Sequence, residues 1–269
     1  MALPRLLERT EIAGLPNALL SYGQHHFTTE DAATAAGITP ESARPALARL
    51  IRNRLAFSPA RGLYIAIPPE YRSWGVVPAA GFVDALMAHL DRSYYVGFLS
   101  AAEVHGAAHQ KPQVFQVVVD RDLRDRDLGR VRLRFITNRT IVDLPTVRRN
   151  TPTGTMAVST PALTAMDLAH RPIHGAGLHN VATVLIELVR DGKLDDDLLA
   201  QLVGHFPAAA ARRVGWIIEN FTDLRLGALA AVASRAVEEP SNLDHYGPRR
   251  GAVDPRWRIR VNTTVDPDV

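Results

Sequence analysis

Between residues 27 and 67 the chain sets an Ala-rich helical segment, a glycine, a strongly capped helix start and a glycine-containing hairpin signal in immediate succession. Few folds accept that order. Residues 30–36 (EDAATAA) predict a short helix that stops at Gly37, where a left-handed turn costs little because no Cβ opposes it. Thr39 then offers an N-cap, Pro40 suits the first helical position and Glu41 favours the positive end of the dipole, so a second helix is predicted over residues 40–54. Two apolar runs, 55–58 and 63–67, flank Pro59, Ala60, Arg61 and Gly62, the composition of a tight β-turn. Helix, glycine turn, capped helix and hairpin make the order of a winged helix-turn-helix, whose second helix enters a major groove of duplex DNA. A small Ala-rich bundle with solvated arginines is the alternative. Local charge does not remove it, since residues 1–70 hold seven Arg and six acidic groups.

On a helical wheel Ala43, Leu47, Leu50, Ile51 and Arg54 share one side of the second helix, and Glu41, Ser42, Pro45, Arg49 and Arg52 the other. The first side is expected to pack and the second to face a groove. Thr39, Ser42 and Arg44, at the N-terminal end, are the candidates for base or near-base contact; Arg49, Arg52 and the hairpin-tip Arg61 are candidates for phosphate contact. Pro45 stands against a regular helix, because it removes a backbone donor and bends the axis.

A chain of 269 residues can form two ordinary domains with substantial cores. Its 46% hydrophobic and 22% charged content is that of a soluble globular protein. The longest apolar stretches, 181–189 with Glu187 inside it and 226–233, are too short for a membrane span. Arg5, Glu8, Arg9 and Glu11 occupy the place of a signal-peptide core, so a cytoplasmic location is expected. The absence of cysteine excludes disulfides, thiolate nucleophiles and thiolate zinc sites together. A pI of about 9.5 comes with a net charge of only +3, so any nucleic-acid role rests on local patches. Twenty-nine of the 31 basic residues are Arg, a bias that codon composition explains as well as anion binding does.

The expected fold class is α+β: a winged helix-turn-helix domain with its linker over residues 1–78, then a larger mixed α/β domain over 79–269. An amphipathic helix at 11–22 completes the first domain, since Ile12, Leu15, Leu19 and Tyr22 recur at helical spacing. Pro68, Pro69 and Pro78 mark the linker. Helices are predicted at 79–90 and 98–105, the latter closed by Gly106, then strands at 113–119 and 130–136 around a charged loop, with shorter strands at 142–147 and 155–158. Thr160 and Pro161 open a helix to 169, and helices at 178–190, 195–205, 207–221 and 226–237 follow before a last strand at 256–261.

Arg130, Arg132 and Arg134 alternate with apolar residues, as do Arg256, Arg258 and Arg260. On strands each set would present three guanidinium groups on one face, about 6 to 7 Å apart. Such rows need anions, which could be carboxylates of the 120–127 loop, an acidic partner, or nucleic-acid phosphates; a solvated sheet face neutralised internally is the plain alternative.

Catalytic patterns are weak. His105 and His109 have metal-pair spacing, but Gly106 falls between them where the metalloprotease pattern needs Glu. His170, His174 and His179 scatter over a Pro/Gly loop without paired carboxylates. Asp191, Gly192 and Lys193, with Asp167 upstream, resemble the end of a nuclease site, although Gly192 as a helix stop explains the same residues. No enzymatic activity, cofactor or metal is expected, and a DNA-directed nuclease ranks last among the readings.

The chain resembles the AbiEi antitoxins of type IV toxin–antitoxin systems. The resemblance rests on the second helix followed by residues 61–64 (RGLY), then 95–106 (YVGFLSAAEVHG) leading to Val114, 159–168 (STPALTAMDL), 213–219 (RVGWIIE) and 257–262 (WRIRVN). Each motif is short, and their order carries the match; Pro45 departs from the pattern. The resemblance implies a repressor of its own operon that binds promoter inverted repeats through the N-terminal domain, with protomers paired on the DNA. It also implies an antidote to a nucleotidyltransferase toxin that forms no stable inhibitory complex with it. A ligand-responsive winged-helix regulator without a toxin partner is the competing reading, and a neighbouring nucleotidyltransferase gene separates the two.

Overall fold

The computed structural model describes residues 11–108, 112–233 and 239–268. Among them the fold is mixed α+β, with several sheets and ten α-helices. Helix α1 (Leu15–Ser21) starts four residues later than its periodicity predicts. Pro16 explains this, because a helix begun at 11 would put it in the interior, where its ring meets the carbonyl of residue 12. Strand β1 (His26–Thr28) is not predicted, three residues being too short to show alternation. Thr28 caps α2 (Thr29–Ala36) in a reciprocal box: its hydroxyl accepts from the Asp31 amide at 3.0 Å, and the Asp31 carboxylate accepts from the Thr28 amide at 2.8 Å. Gly37 ends the helix at φ 67°, as expected of that position.

Helix α3 (Pro40–Arg52) follows, its N-cap Thr39 accepting from the Ser42 amide at 3.3 Å. It keeps Pro45 inside it and stops two residues early, since Arg54 takes a left-handed φ of 55°. Ala43, Leu47 and Leu50 pack in one core with Leu15, Leu19, Phe27 and the alanines 32, 33 and 35, whose small side chains let α2 and α3 approach closely. Two residues of the predicted apolar side are not there. Ile51 is 42% exposed, and Arg54 has left the helix to donate to the Ser73 carbonyl at 3.0 Å.

Strands β2 (Ala56–Ala60) and β3 (Leu63–Ala66) pair antiparallel with Ala60 opposite Leu63, so the turn is only Arg61 and Gly62. Pro59 therefore lies in the strand and not in the turn. It is tolerated because β2 is an edge of the β1-β3-β2 sheet and its register shifts between Phe57 and Ala60. Beyond this sheet, residues 68–78 hold one 3₁₀ turn and bury Val76 and Val77. The helix predicted from 79 begins as a 3₁₀ turn, breaks at Phe82 and resumes as α4 (Val83–His89), ahead of β4 (Tyr94–Val96).

Helix α5 (Phe98–Val104) is closed at Gly106, φ 77°. Then come β5 (Phe115–Val119), β6 (Arg126–Asp127), β7 (Arg132–Thr137), β8 (Thr146–Thr151) and β9 (Gly154–Ser159). Strand β6 runs antiparallel to β7 with Asp127 opposite Arg132, and β4 runs parallel to β9 with Val96 opposite Val158. Helix α6 (Pro161–His170) is capped by Thr160 and buries residues 162–169 on every side, so it is a core helix. Around it are α7 (Leu178–Arg190), α8 (Asp196–Leu202) and α9 (Ala208–Phe221), then α10 (Gly227–Ala233), whose predicted continuation to 237 lies outside the described residues. The chain ends on a small sheet in which β12 (Ile259–Arg260) lies between β10 (Ser241–Asn242) and β11 (Val253–Asp254).

Two compact units emerge. One gathers the chain through residue 94 with 121–137 and 148–157; the other holds 95–120, 138–147 and 158–269. Charge divides with them. The described residues of the first carry fifteen arginines against ten carboxylates; those of the second carry twelve basic residues against sixteen acidic ones.

Candidate functional site

Helix α3 turns Ser42, Arg44, Arg49 and Arg52 to solvent, and Thr39 and Arg61 are exposed as well. Among the described residues no carboxylate pairs with Arg44, Arg49, Arg52 or Arg61. Thr39 and Ser42 are partly committed to the helix start, their hydroxyl oxygens 3.1 Å apart. Arg61 sits at the β2–β3 turn, which is tied down from two sides. The Thr29 amide donates to the Gly62 carbonyl at 3.0 Å, and His89 Nε2 lies 3.0 Å from the Arg61 carbonyl oxygen. The turn is therefore fixed relative to the start of α2, a link that sequence spacing does not announce. Ser42 and Arg49 also line an open groove of about 790 Å³ with Ile12, Ile38, Ala46 and Leu50.

The two arginine rows fare differently. Arg132 and Arg134 stand exposed on β7, Arg134 3.7 Å from Asp125, while Arg130 precedes the strand and lies over the Trp74 ring at 5.4 Å. The row of Arg256, Arg258 and Arg260 is not a strand face. Residues 255–258 form a turn, Arg258 has φ 49°, and only Ile259 and Arg260 are extended. Arg256 grips Glu219 through two bonds of 2.7 and 2.8 Å, and Trp257 Nε1 donates to the same carboxylate at 3.0 Å. Burial works against the Glu219 charge, but these donors and the Leu226 amide outweigh it and hold the carboxyl below its usual range. Gly215 makes room for the clamp, since a Cβ there would lie 2.2 Å from the Trp257 ring. This segment is a packing device whose first cation is already neutralised.

Arg213, buried and overlooked in the sequence, donates to the carbonyls of Leu243 at 2.7 Å, Ala169 at 2.9 Å and Asn242 at 3.1 Å. The adjacent pair Arg212 and Arg213 on α9 resembles a charged surface position, and only tertiary structure reveals the carbonyls that Arg213 serves. Asp167 is likewise engaged: the Tyr95 hydroxyl donates to its two oxygens at 3.2 and 3.0 Å. Burial pushes this carboxyl up to about 7, against the downward pull of Tyr95 and Arg171. Lys193 donates to the His105 carbonyl and to Asp191, with Gly192 at φ 62° ending α7. His105 Nε2 sits 2.7 Å from the Ser159 carbonyl oxygen, and His109 lies outside the described residues. Among the described residues no group of three or more His, Asp or Glu side chains could hold a metal ion, and no helix is long and apolar enough to cross a membrane.

The chain covers 94% of its length in a superposition on the crystal structure of the RV2827C protein from Mycobacterium tuberculosis, 92% of which is matched in turn, with TM-score 0.66 and 18% identity. At that identity the likeness concerns the fold alone. No curated protein matches the chain. Residues 95–220 match the model of the AbiEi antitoxin C-terminal domain, a span that contains Tyr95, Asp167, Arg213 and Glu219. Residues 95–220 are thus identified as an AbiEi antitoxin C-terminal domain.

Proposed function

We propose that the chain is a transcriptional repressor that binds promoter DNA of its own operon through a winged helix-turn-helix at residues 27–67, and that it acts as antidote to a nucleotidyltransferase toxin. The observation that carries the DNA half is the outward face of α3: Ser42, Arg44, Arg49 and Arg52 exposed beside Thr39, with Arg61 at a hairpin tip fixed to α2. In this reading residues 1–78 form the DNA domain with its linker and 79–269 the antitoxin domain. Thr39, Ser42 and Arg44 meet base edges, and Arg49, Arg52 and Arg61 meet phosphates. The match of residues 95–220 to the AbiEi antitoxin C-terminal domain supports the antitoxin half. Inverted repeats would be read by paired protomers, half-sites lying about one helical turn apart.

A footprint of the protein on the DNA upstream of its own coding sequence tests the proposal. Protection of two half-sites, abolished in Arg44→Ala/Arg49→Ala, is expected. Equal protection by that variant would remove α3 as the reading element.

A further inference from the structure

Helix α3 carries a proline from which the fold gains nothing. Pro45 is the sixth of its thirteen residues, so the ring removes the N–H that would donate to the Glu41 carbonyl one turn earlier. The helix needs no such residue at either end. Thr39 and Pro40 already start it, and it runs on past Pro45 to Arg52. Core packing offers no compensation either: Ala43, Leu47 and Leu50 are buried on the opposite side, whereas Pro45 is exposed. Helical spacing puts it at the centre of the outward face, with Glu41 and Ser42 one turn before it and Ala48 and Arg49 one turn after it, all exposed.

The outward face is therefore polar and cationic around one saturated ring. Arg44, Arg49 and Arg52, which have no carboxylate partner among the described residues, can meet phosphates or polar base edges. The Pro45 side chain can meet neither, because it holds no donor, acceptor or charge. What an apolar side chain complements in the major groove is the thymine C5-methyl, a group that sets thymine apart from the other three bases. Pro45 lies in the N-terminal half of α3, the part of such a helix that approaches base edges.

We infer that Pro45 is a specificity-determining residue of the reading helix, its ring covering one thymine methyl in each half-site. The inference rests on the DNA reading above and adds a base identity to it. Hiding one methyl group from water is worth about fourfold in affinity.

The test is fluorescence anisotropy of the full chain on the duplex that it protects upstream of its own coding sequence. That duplex is compared with a set in each of which one thymine is replaced by uracil, which lacks only the methyl. The wild type is expected to lose about fourfold at one position in each half-site. Pro45→Ser restores the backbone donor, should unfold in urea no earlier than the wild type, and replaces the ring by a hydroxyl. It is expected to bind the thymine and uracil duplexes equally at that position. Pro45→Val restores the same donor but stays apolar, and is expected to keep the preference for thymine. An undiminished preference in Pro45→Ser would overturn the inference, because another side chain would then hold the methyl. Loss of the preference in Pro45→Val would also overturn it, by giving the effect to the axis of the helix. If the wild type tolerates every single replacement while Arg44→Ala/Arg49→Ala abolishes protection, Pro45 falls as a reader and α3 stands. Absence of protection by the wild type, or equal protection by the arginine variant, removes both readings.

Discussion

Arginines on α3 of the N-terminal unit and arginines around α9 in the second unit do opposite work. In the N-terminal unit Arg44, Arg49, Arg52, Arg132 and Arg149 are exposed and pair with no carboxylate among the described residues, whereas in the second unit Arg213 and Arg256 turn onto carbonyls and onto Glu219. Sequence alternation is the same for Arg132 and Arg256, yet one stands on a strand face and the other closes a clamp. The lesson is that a cation's neighbours in space, and not its spacing along the chain, decide whether it serves the fold or a ligand. An inward arginine is held by groups that become unpaired when it is removed; an outward one leaves only water behind.

That contrast makes its largest prediction at Arg213. Replacement by Ala leaves three carbonyl oxygens without their donor and a void in α9, and should destabilise the protein by about 3 kcal/mol or more in urea unfolding. Arg132→Ala should change stability by no more than about 0.5 kcal/mol. Equal effects would erase the distinction between the two units.

Asp167 supplies the next effect, on the same inward side. Its carboxyl titrates at about 7 when folded against an ordinary value of 3.8, so the native state holds the proton more tightly than the unfolded chain. Stability present below about pH 4 is therefore lost as the pH rises to about 7, by up to about 4 kcal/mol, and is not regained above it. Asp167→Asn should flatten that part of the profile while keeping a polar partner for Tyr95. A profile of unchanged slope would show that the carboxyl is not the source.

Smaller effects belong to the N-terminal unit. Thr28→Ala removes one half of the capping box that starts α2 and should cost about 1 kcal/mol, read as a shift in the urea midpoint at constant m-value. Thr28→Ser should recover most of it, because a serine hydroxyl accepts the same amide.

How much of this is visible in the sequence follows from the range of the interactions involved. The Gly37 turn, the Thr39 cap and the Thr160 cap are readable because a cap engages residues within three or four positions. Pro59 misleads the turn assignment, since proline favours turns unless an edge strand with an irregular register admits it. Strand β1 is hidden by its length and by the distance along the chain to its partner β3, where Phe27 opposite Tyr64 supplies the stacking. The wheel places Ser42, Arg49 and Arg52 on the exposed face of α3, as observed, and Arg44 at its edge, but it counts Arg54 as packed although the helix ends at Arg52, and it counts Ile51 as packed although that residue, still within the helix, is exposed. The Asp84–Arg148 pair, the Arg130–Trp74 contact and the carbonyl cage of Arg213 are long-range and leave no local pattern.

The central claim is that α3 is the element that meets DNA, and the most direct measurement is the duplex affinity of the wild type and two variants on the protein's own upstream sequence at several salt concentrations. Arg44→Ala/Arg49→Ala/Arg52→Ala is expected to bind far more weakly and to lower the salt slope by about 0.9 for each phosphate left without its cation, while Arg256→Ala, whose partner is Glu219, binds as the wild type does. Wild-type affinity and slope in the α3 variant would contradict the account.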